Sequence, residues 1–336
     1  MKFLITGANG FIGSNLAKKL LEANHKVRGL ILQGTDESNL DELGDAVEKV
    51  YGDITDFNSI KPHLNGVDVV IHLAGLVTDW GPEKLFQKVN VEGSKNMLDA
   101  SVEAGVKRFV FMSSLTVHGF KGFQNNDEIT PYAPYNAYAR SKLAVEELLN
   151  AYFQQGKIET VIVRPGFTIF GPKDRMFSFE VYSRIEKGKS FPVVKKGDVL
   201  MCYSYVENLV DGLILVGTHP KAAGQTYIIS DGPFISFQEF LEKMYASCEH
   251  KLKLTSIPTP LAIAGAGILE VLYKLVRSKK GPLITLYRVK VIATDLAFTN
   301  EKVVHDLGYE AAVDLEEAFK RTYSWYKEEC TKISEK

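Results

Sequence analysis

Lys2-Phe3-Leu4-Ile5-Thr6-Gly7-Ala8-Asn9-Gly10-Phe11-Ile12-Gly13-Ser14 opens the chain and decides its fold. Lys2–Thr6 is a short apolar run with no room for a helix before it. A glycine-studded turn follows, and then Ile12, Leu16, Leu20 and Leu21 recur at helical spacing. This order reads as strand, tight turn, helix, the start of a dinucleotide-binding βαβ unit. Gly7 lets the chain turn sharply out of the strand. Gly10 lets the backbone approach a pyrophosphate with no Cβ in the way, and Gly13 lets the helix sit close on the sheet. The first turn, from Phe11 and Ile12 onward, presents free N–H groups and a partial positive charge to phosphates, with Asn9 beside it. The glycines are spaced three and three, not two and three as in the commonest fingerprint, so the flanking strand and helix carry the reading.

Working outward, strands and helices alternate. The patterns predict strands at Lys2–Thr6, Val27–Leu32, Glu48–Tyr51, Val67–Leu73, Arg108–Ser113, Glu159–Arg164 and, late, Gln225–Ser230. They predict helices at Phe11–Glu22, Asp56–Leu64, Leu85–Ala104, Ala139–Gln154 and Val206–Gly217. The expected class is α/β, a Rossmann doubly wound parallel sheet with a smaller C-terminal substrate lobe. The rhythm breaks near Pro172. The expected division is a dinucleotide-binding domain over 1–172, rejoined by about 203–230, with 173–202 and 231–336 as the substrate-binding lobe. A second lobe is also expected from length, since 336 residues exceed the roughly 250–300 at which one core stops growing.

Composition excludes several function classes. Hydrophobic content of 45% and charged content of 24% match a globular protein, and a net charge of −1 implies neither a polyanion such as nucleic acid nor an anionic membrane as partner. Cys202, Cys248 and Cys330 are few and far apart, and the seven histidines contain no His-x-x-x-His pair. Neither a disulfide framework nor a catalytic metal is expected. Residue 2 already belongs to the first strand, so a cytoplasmic protein without a signal peptide is expected. Leu261–Val276 is the most apolar stretch, but it is short and contains Glu270 and Lys274, so no spanning segment is expected. It can cover a greasy substrate or touch a membrane surface. Packing inside the small lobe is the preferred reading.

The second strand bears on the choice between NAD and NADP. An acidic side chain near its end would bond the ribose 2′-hydroxyl, and an arginine would take a 2′-phosphate. Ile31 and Leu32 are both apolar, and Arg28 stands one or two residues early, so NAD or NADP is expected, with Arg28 as a candidate contact. Asp53, with Ile54 after it, ends the third strand and is placed to accept from the adenine amino group; the alternative is a helix N-cap. Leu73, Ala74 and Gly75 end the fourth strand, with small residues where the chain passes the cofactor.

The chemistry is expected at Ser114, Tyr138 and Lys142. Ser113-Ser114 follow a strand, and Tyr138-Ala139-Arg140-Ser141-Lys142 opens a helix, which puts Tyr138 and Lys142 on one face. A free phenol has a pKa near 10 and is a poor base at neutral pH. An ammonium about 4 Å away at an effective dielectric of about 20 contributes about 4 kcal/mol, enough to bring the phenol near neutrality. Ser114 would hold the substrate oxygen as charge develops on it. A second Tyr-x-x-x-Lys, Tyr323 to Lys327, follows no glycine turn and reads as a surface helix.

Taken together, these motifs resemble the extended short-chain dehydrogenases/reductases, the NAD(P)-dependent epimerase/dehydratase superfamily. Thr6-Gly7-x-x-Gly10-Phe11-Ile12-Gly13-Ser14, Gly52-Asp53-Ile54-Thr55-Asp56, Asn90-Val91-Glu92-Gly93, Arg164-Pro165-Gly166 and Gly171-Pro172 match its landmarks. The resemblance implies Ser114, Tyr138 and Lys142 as catalytic residues, Lys142 also on the nicotinamide ribose, and Pro165 near the nicotinamide. Asn90 is similar to the family's asparagine on the sheet-facing helix, with capping as the alternative. Leu85–Ala104 and Ala139–Gln154 resemble the family's four-helix interface, which implies a homodimer through two helices per subunit.

Two departures narrow the branch. Relatives of dihydroflavonol reductases usually carry arginine where Leu32 stands, and sugar-nucleotide members usually carry one near Met201. Tyr205-Val206-Glu207-Asn208-Leu209-Val210, Pro260-Leu261, Pro282-Leu283-Ile284-Thr285, Thr299-Asn300-Glu301-Lys302 and Leu307-Gly308-Tyr309 resemble 3β-hydroxysteroid and sterol dehydrogenases. The expected protein is an NAD(P)-dependent oxidoreductase interconverting a secondary alcohol and a ketone or aldehyde by hydride transfer, with an apolar, steroid-like small-molecule substrate implied. The alternatives are a sugar-nucleotide epimerase or dehydratase with transient hydride transfer, and a non-catalytic NAD(P) sensor. Tyr203, His118 and Met201 are candidate pocket residues, with plain packing as the alternative.

Overall fold

The structure is a computed structural model, and it describes residues 1–278 and 280–334. Lys2–Thr6 forms strand β1, and the helix α1 runs over Phe11–Glu22, with Leu16, Ala17 and Leu20 buried. β2 is Lys26–Ile31, β3 Val47–Tyr51, β4 Val69–His72 and β5 Arg108–Met112. These join Glu159–Pro165 and Thr226–Ile229 in one seven-stranded sheet. Its order is Thr226–Ile229, Glu159–Pro165, β5, β4, β1, β2, β3, and every neighbouring pair is parallel. This is the Rossmann α/β architecture. The order reverses between β1 and β4, which opens a crevice at their carboxyl ends.

The sheet is buried on both sides, as parallel sheets are. Phe3, Ile5, Val69 and Ile71 pack with α1 and with the Val206–Thr218 helix on one side. Leu4, Val70, Phe109 and Phe111 pack on the other with Met97, Val145 and Leu149 from helices Gly93–Glu103 and Ala137–Gln154.

Two expected helices are broken. Over 85–104 the chain makes a short helix, Glu83–Phe86, then a π-helical segment, Gln87–Glu92, then Gly93–Glu103. Such wide turns are uncommon and often mark sites. The expected Asp56–Leu64 helix is α-helical only over Phe57–Ile60 and tightens into a 3₁₀ turn over Lys61–Leu64, where Pro62 removes an N–H donor.

The remaining strands form small sheets. Leu200–Met201 pairs with Ile235–Ser236 and Leu296–Phe298, and the last of these pairs with Phe123–Asn126. Phe191–Val194 pairs with Leu254–Ile257. The early strand Phe123–Asn126 thus completes a sheet built mostly from late sequence, and this ties the two parts of the chain together.

Candidate active site

Turning sharply out of β1 requires Gly7, whose φ of +69° suits glycine. A Cβ on Gly13 would stand 2.3 Å from the Gly7 carbonyl oxygen and 2.8 Å from the Ala8 Cα, so only glycine lets α1 sit against the turn. Gly10 is the N-cap and contributes no side-chain cap, so no side chain competes for the N–H groups of the first turn. That is a ready anion cradle.

The cradle opens into a cleft of about 560 Å³ at the carboxyl ends of β1 to β4. Gly7, Asn9 and Gly10, then Asp53 and Ile54, then Leu73, Ala74 and Gly75 line it, as the sequence reading expected. Leu32 and Thr35 form its outer rim. Phe11, Ile12 and Gly13 supply the helix turn beneath rather than the walls. Asp53 is not a helix cap: Asp56 caps the next helix by accepting from Asn58 N–H. The Asp53 carboxylate accepts from Thr55 N–H at 2.8 Å through one oxygen. The second oxygen suits an adenine amino group. The cleft's shape, glycine cradle and donor set fit a dinucleotide.

Arg28 is a correction. Its guanidinium donates to the carbonyls of His63 at 2.6 Å and Asn65 at 3.1 Å, and it pairs with Glu48 at 2.7 Å. It stands four residues before Leu32, on the same face but back toward the start of the strand, and does not reach the cleft. Distance along the strand is the reason: at about 3.3 Å per residue Arg28 sits about 13 Å before Leu32, away from the carboxyl end where the cleft opens.

Asn90 and Pro165 lie outside the cleft wall. Asn90 neither caps a helix nor keeps a free amide. It accepts from Leu76 N–H at 2.7 Å, donates to the Leu76 carbonyl at 3.2 Å, and donates to Ser141 Oγ at 2.9 Å. It therefore fastens the loop after β4 to the helix that carries Tyr138. Pro165 ends its strand opposite Ile229 and is buried.

The Ala137–Gln154 helix begins where the Asn136 side chain accepts from Ala139 N–H. Tyr138, Lys142 and Glu146 follow on successive turns of one face. Ser114 caps a short 3₁₀ turn after β5, where its Oγ accepts from Thr116 N–H and the Thr116 hydroxyl. The structure brings Ser114, Tyr138 and Lys142 together: the Ser114 side chain lies close enough to the Tyr138 phenol to pull its pKa downward. Lys142 Nζ donates to the Met112 carbonyl at 2.7 Å, 4.6 Å from the Phe111 ring centre and 5.8 Å from that of Tyr138.

The phenol's acidity departs from expectation. Burial pushes Tyr138 up to about 12, against a smaller opposing pull from Ser114. Burial also lowers Lys142 to about 8, against the field of Glu146. An ammonium whose proton rests on a backbone carbonyl does not outweigh the desolvation of the phenolate.

Beneath this trio lies a network that the sequence reading did not single out. Arg164 donates twice to Glu146, at 2.9 and 2.5 Å, and both side chains are 1% exposed. Ser113 Oγ donates to the same carboxylate, and Arg164 also meets His118 Nε2 at 3.0 Å. The available signal was position: Glu146 is one turn beyond Lys142 on the same face. His118 is stacked between Tyr132 and Phe298 and held down to about 4 by burial and Arg164. Tyr203 and Met201 belong to the packed core. None of these three lines either cleft.

Tyr138 borders a second cleft of about 560 Å³. Its walls include Trp80 from the loop after β4, together with Tyr273 and Tyr287 from helices Thr259–Leu275 and Leu286–Ala293. Asp79 anchors those helices by accepting from Arg288 and from the Thr285 hydroxyl, and the Glu270 side chain accepts from Leu286 N–H. Tyr138 thus opens on the aromatic cleft, with Ser114 and Lys142 beside it; none of the three lines the glycine-turn cleft. Such an arrangement can hold a substrate oxygen and move a proton to or from it.

The profile of the NAD dependent epimerase/dehydratase family matches residues 3–230. Over nearly the whole chain the sequence is similar to 3beta-hydroxysteroid-dehydrogenase/decarboxylase isoform 1 of Arabidopsis thaliana, at 29% identity with 95% of this chain and 78% of that protein covered. It is also similar to N-acetyl-alpha-D-glucosaminyl-diphospho-ditrans,octacis-undecaprenol 4-epimerase of Escherichia coli O157:H7, at 28% identity with 99% and 98% covered. The fold is that of a short-chain dehydrogenase/reductase superfamily protein from Agrobacterium tumefaciens solved with bound NAD, at TM-score 0.75, 23% identity and 100% coverage of both chains. The glycine cradle, the strand order and the match over 3–230 lead to one assignment: the chain belongs to the NAD dependent epimerase/dehydratase family and is an NAD(P)-dependent oxidoreductase.

Proposed function

We propose that this protein interconverts a secondary alcohol and a ketone or aldehyde, with Tyr138 as the acid–base group and an apolar, ring-bearing substrate. The observation that carries the reading is the Ser114–Tyr138 hydroxyl pair at the edge of a cleft walled by Trp80, Tyr273 and Tyr287. NAD, when bound, supplies the hydride acceptor or donor. Gly7, Gly10 and the first turn of α1 would hold its pyrophosphate, and Asp53 its adenine. Ser114 donates a hydrogen bond to the substrate oxygen, and Tyr138 gives that oxygen its proton on reduction or takes it on oxidation. Lys142 steadies the charge that the phenol acquires. Tyr273 and Tyr287 line the aromatic cleft, which supports a division into a cofactor part and a substrate lobe over 173–202 and 231–336. The segments 85–104 and 139–154 are proposed to carry a homodimer.

Tyr138→Phe tests the reading. Turnover is expected to fall by about 10²–10⁴-fold with NAD affinity unchanged. Undiminished turnover overturns it.

A second reading has its own support. Lys274 and Arg277 line the same cleft and favour an anionic substrate such as a diphosphate. In that case the hydride would return to the substrate, giving an epimerase or dehydratase. Net appearance of reduced cofactor during turnover separates the two.

A further inference from the structure

The Thr259–Leu275 helix has 17 residues, and Ala266 alone is buried among them. Packing within the small lobe therefore covers only its inner edge. Its inner edge gives Glu270, Tyr273 and Lys274 to the aromatic cleft. Its outer edge carries Leu261, Ile268, Leu272 and Leu275 at helical spacing, exposed by 64, 62, 51 and 73%. Val276 and Leu283 extend the patch, the latter 83% exposed. Contiguous apolar surface of this kind marks an interaction site rather than ordinary exposure.

Charge identifies the occupant. Residues 259–294 contain six bases and the single acid Glu270 in a chain whose total is −1; Glu270 pairs with Lys274 and Asp79 with Arg288, and the basic excess lies at the helix end with Arg277 and Lys280. Arg277 and Lys280 are exposed just past the helix end, where a helix lying in a bilayer interface would put them among headgroups. A second copy of this chain would set the same positive charge against it. An anionic lipid surface complements both the apolar stripe and the basic flank. No described helix is long and apolar enough to cross a membrane, so the contact is a surface one.

We propose that the outer face of the Thr259–Leu275 helix docks on an anionic lipid bilayer, placing the aromatic cleft beneath it next to the membrane. An apolar substrate would then pass from lipid to Tyr138 along the underside of the same helix. The docking itself does not depend on the oxidoreductase reading.

Flotation of the full chain with vesicles tests it. The vesicles are phosphatidylcholine alone, or with roughly one third phosphatidylglycerol. Wild type should float with the anionic vesicles, weakly with the neutral ones, and less at high salt. Leu275→Ser combined with Val276→Ser, and separately Lys280→Glu, should each weaken partition about tenfold while NAD binding stays unchanged. Because these residues are solvent-exposed and outside both clefts, retained NAD binding reports an intact fold. Wild type that stays with the aqueous phase overturns the proposal, as does equal flotation of the variants. Loss of self-association in the Leu275→Ser/Val276→Ser variant without any effect on flotation also overturns it and assigns the stripe to a second copy.

Discussion

Lys142 Nζ donates a hydrogen bond to the Met112 carbonyl at 2.7 Å and lies 5.8 Å from the centre of the Tyr138 ring. The lysine is thereby pinned to the end of β5, and the phenol keeps its proton up to about 12. The site as it stands is an acid, ready to donate. Reduction should therefore proceed at a steady rate through neutral pH and decline above about 8, where Lys142 loses its charge. Oxidation needs the phenol's proton gone and should speed up with pH from neutrality. Initial rates in both directions across pH check this, and a reduction rate that rises above pH 8 contradicts it.

The Glu146–Arg164 pair is buried, and removing one charge strands the other. Glu146→Gln should cost about 3 kcal/mol of stability, measured by denaturant unfolding. A loss under about 1 kcal/mol would show that the guanidinium finds other partners.

Cofactor choice should favour NAD. Leu32 stands at the cleft rim, and Arg28 is spent on Glu48, His63 and Asn65. Neither provides a guanidinium for a 2′-phosphate. NADP should bind at least about tenfold more weakly by fluorescence titration, a difference of about 1.4 kcal/mol. Leu32→Arg should narrow the gap.

Asn90→Ala removes three hydrogen bonds from a buried position. A stability loss of about 1–3 kcal/mol is expected, together with a raised KM for cofactor, because Gly75 and Leu76 line the cofactor cleft. Wild-type KM together with wild-type stability would remove Asn90 from the site's support.

Asp231 accepts from Tyr205 N–H and from Asn208 through one oxygen, while the other is buried without a hydrogen-bond partner among the described residues. Burial raises its pKa to about 7 from 3.8. The folded state therefore binds the proton more tightly than the unfolded one. The associated stability is present at acid pH and is lost as pH rises toward 7. Asp231→Asn keeps the acceptor and should be more stable than wild type at pH 8, by about 1–2 kcal/mol in thermal or denaturant unfolding. Equal stability at pH 8 contradicts the shift.

Much of this was legible in the residues. β1 and α1 end where the apolar run and the glycines say, because local turn chemistry sets them. The Ser114, Tyr138 and Lys142 cluster is legible because a strand end and one helical turn fix relative positions within a few residues. Arg28 misleads because it shares a face with Leu30 and Leu32 yet sits too early in the strand to reach its carboxyl end. The π-helical break at Gln87–Glu92 leaves no composition signal; it coincides with the tertiary hydrogen bonds of Asn90. The Thr259–Leu275 helix misleads in another way. An apolar sequence says that a surface avoids water, not what covers it. The phenol's acidity could not be read at all, because desolvation depends on every neighbour rather than on the lysine alone.

Tyr138, Lys142 and Glu146 ride on successive turns of a single rigid rod. Nearby loops can breathe and the late helices can swing without altering the spacing among phenol, ammonium and carboxylate. One inserted residue between Tyr138 and Lys142 would rotate the tyrosine by about 100° relative to the other two and aim it elsewhere. The molecule's proton-handling parts therefore tolerate motion around them far better than a one-residue slip within them.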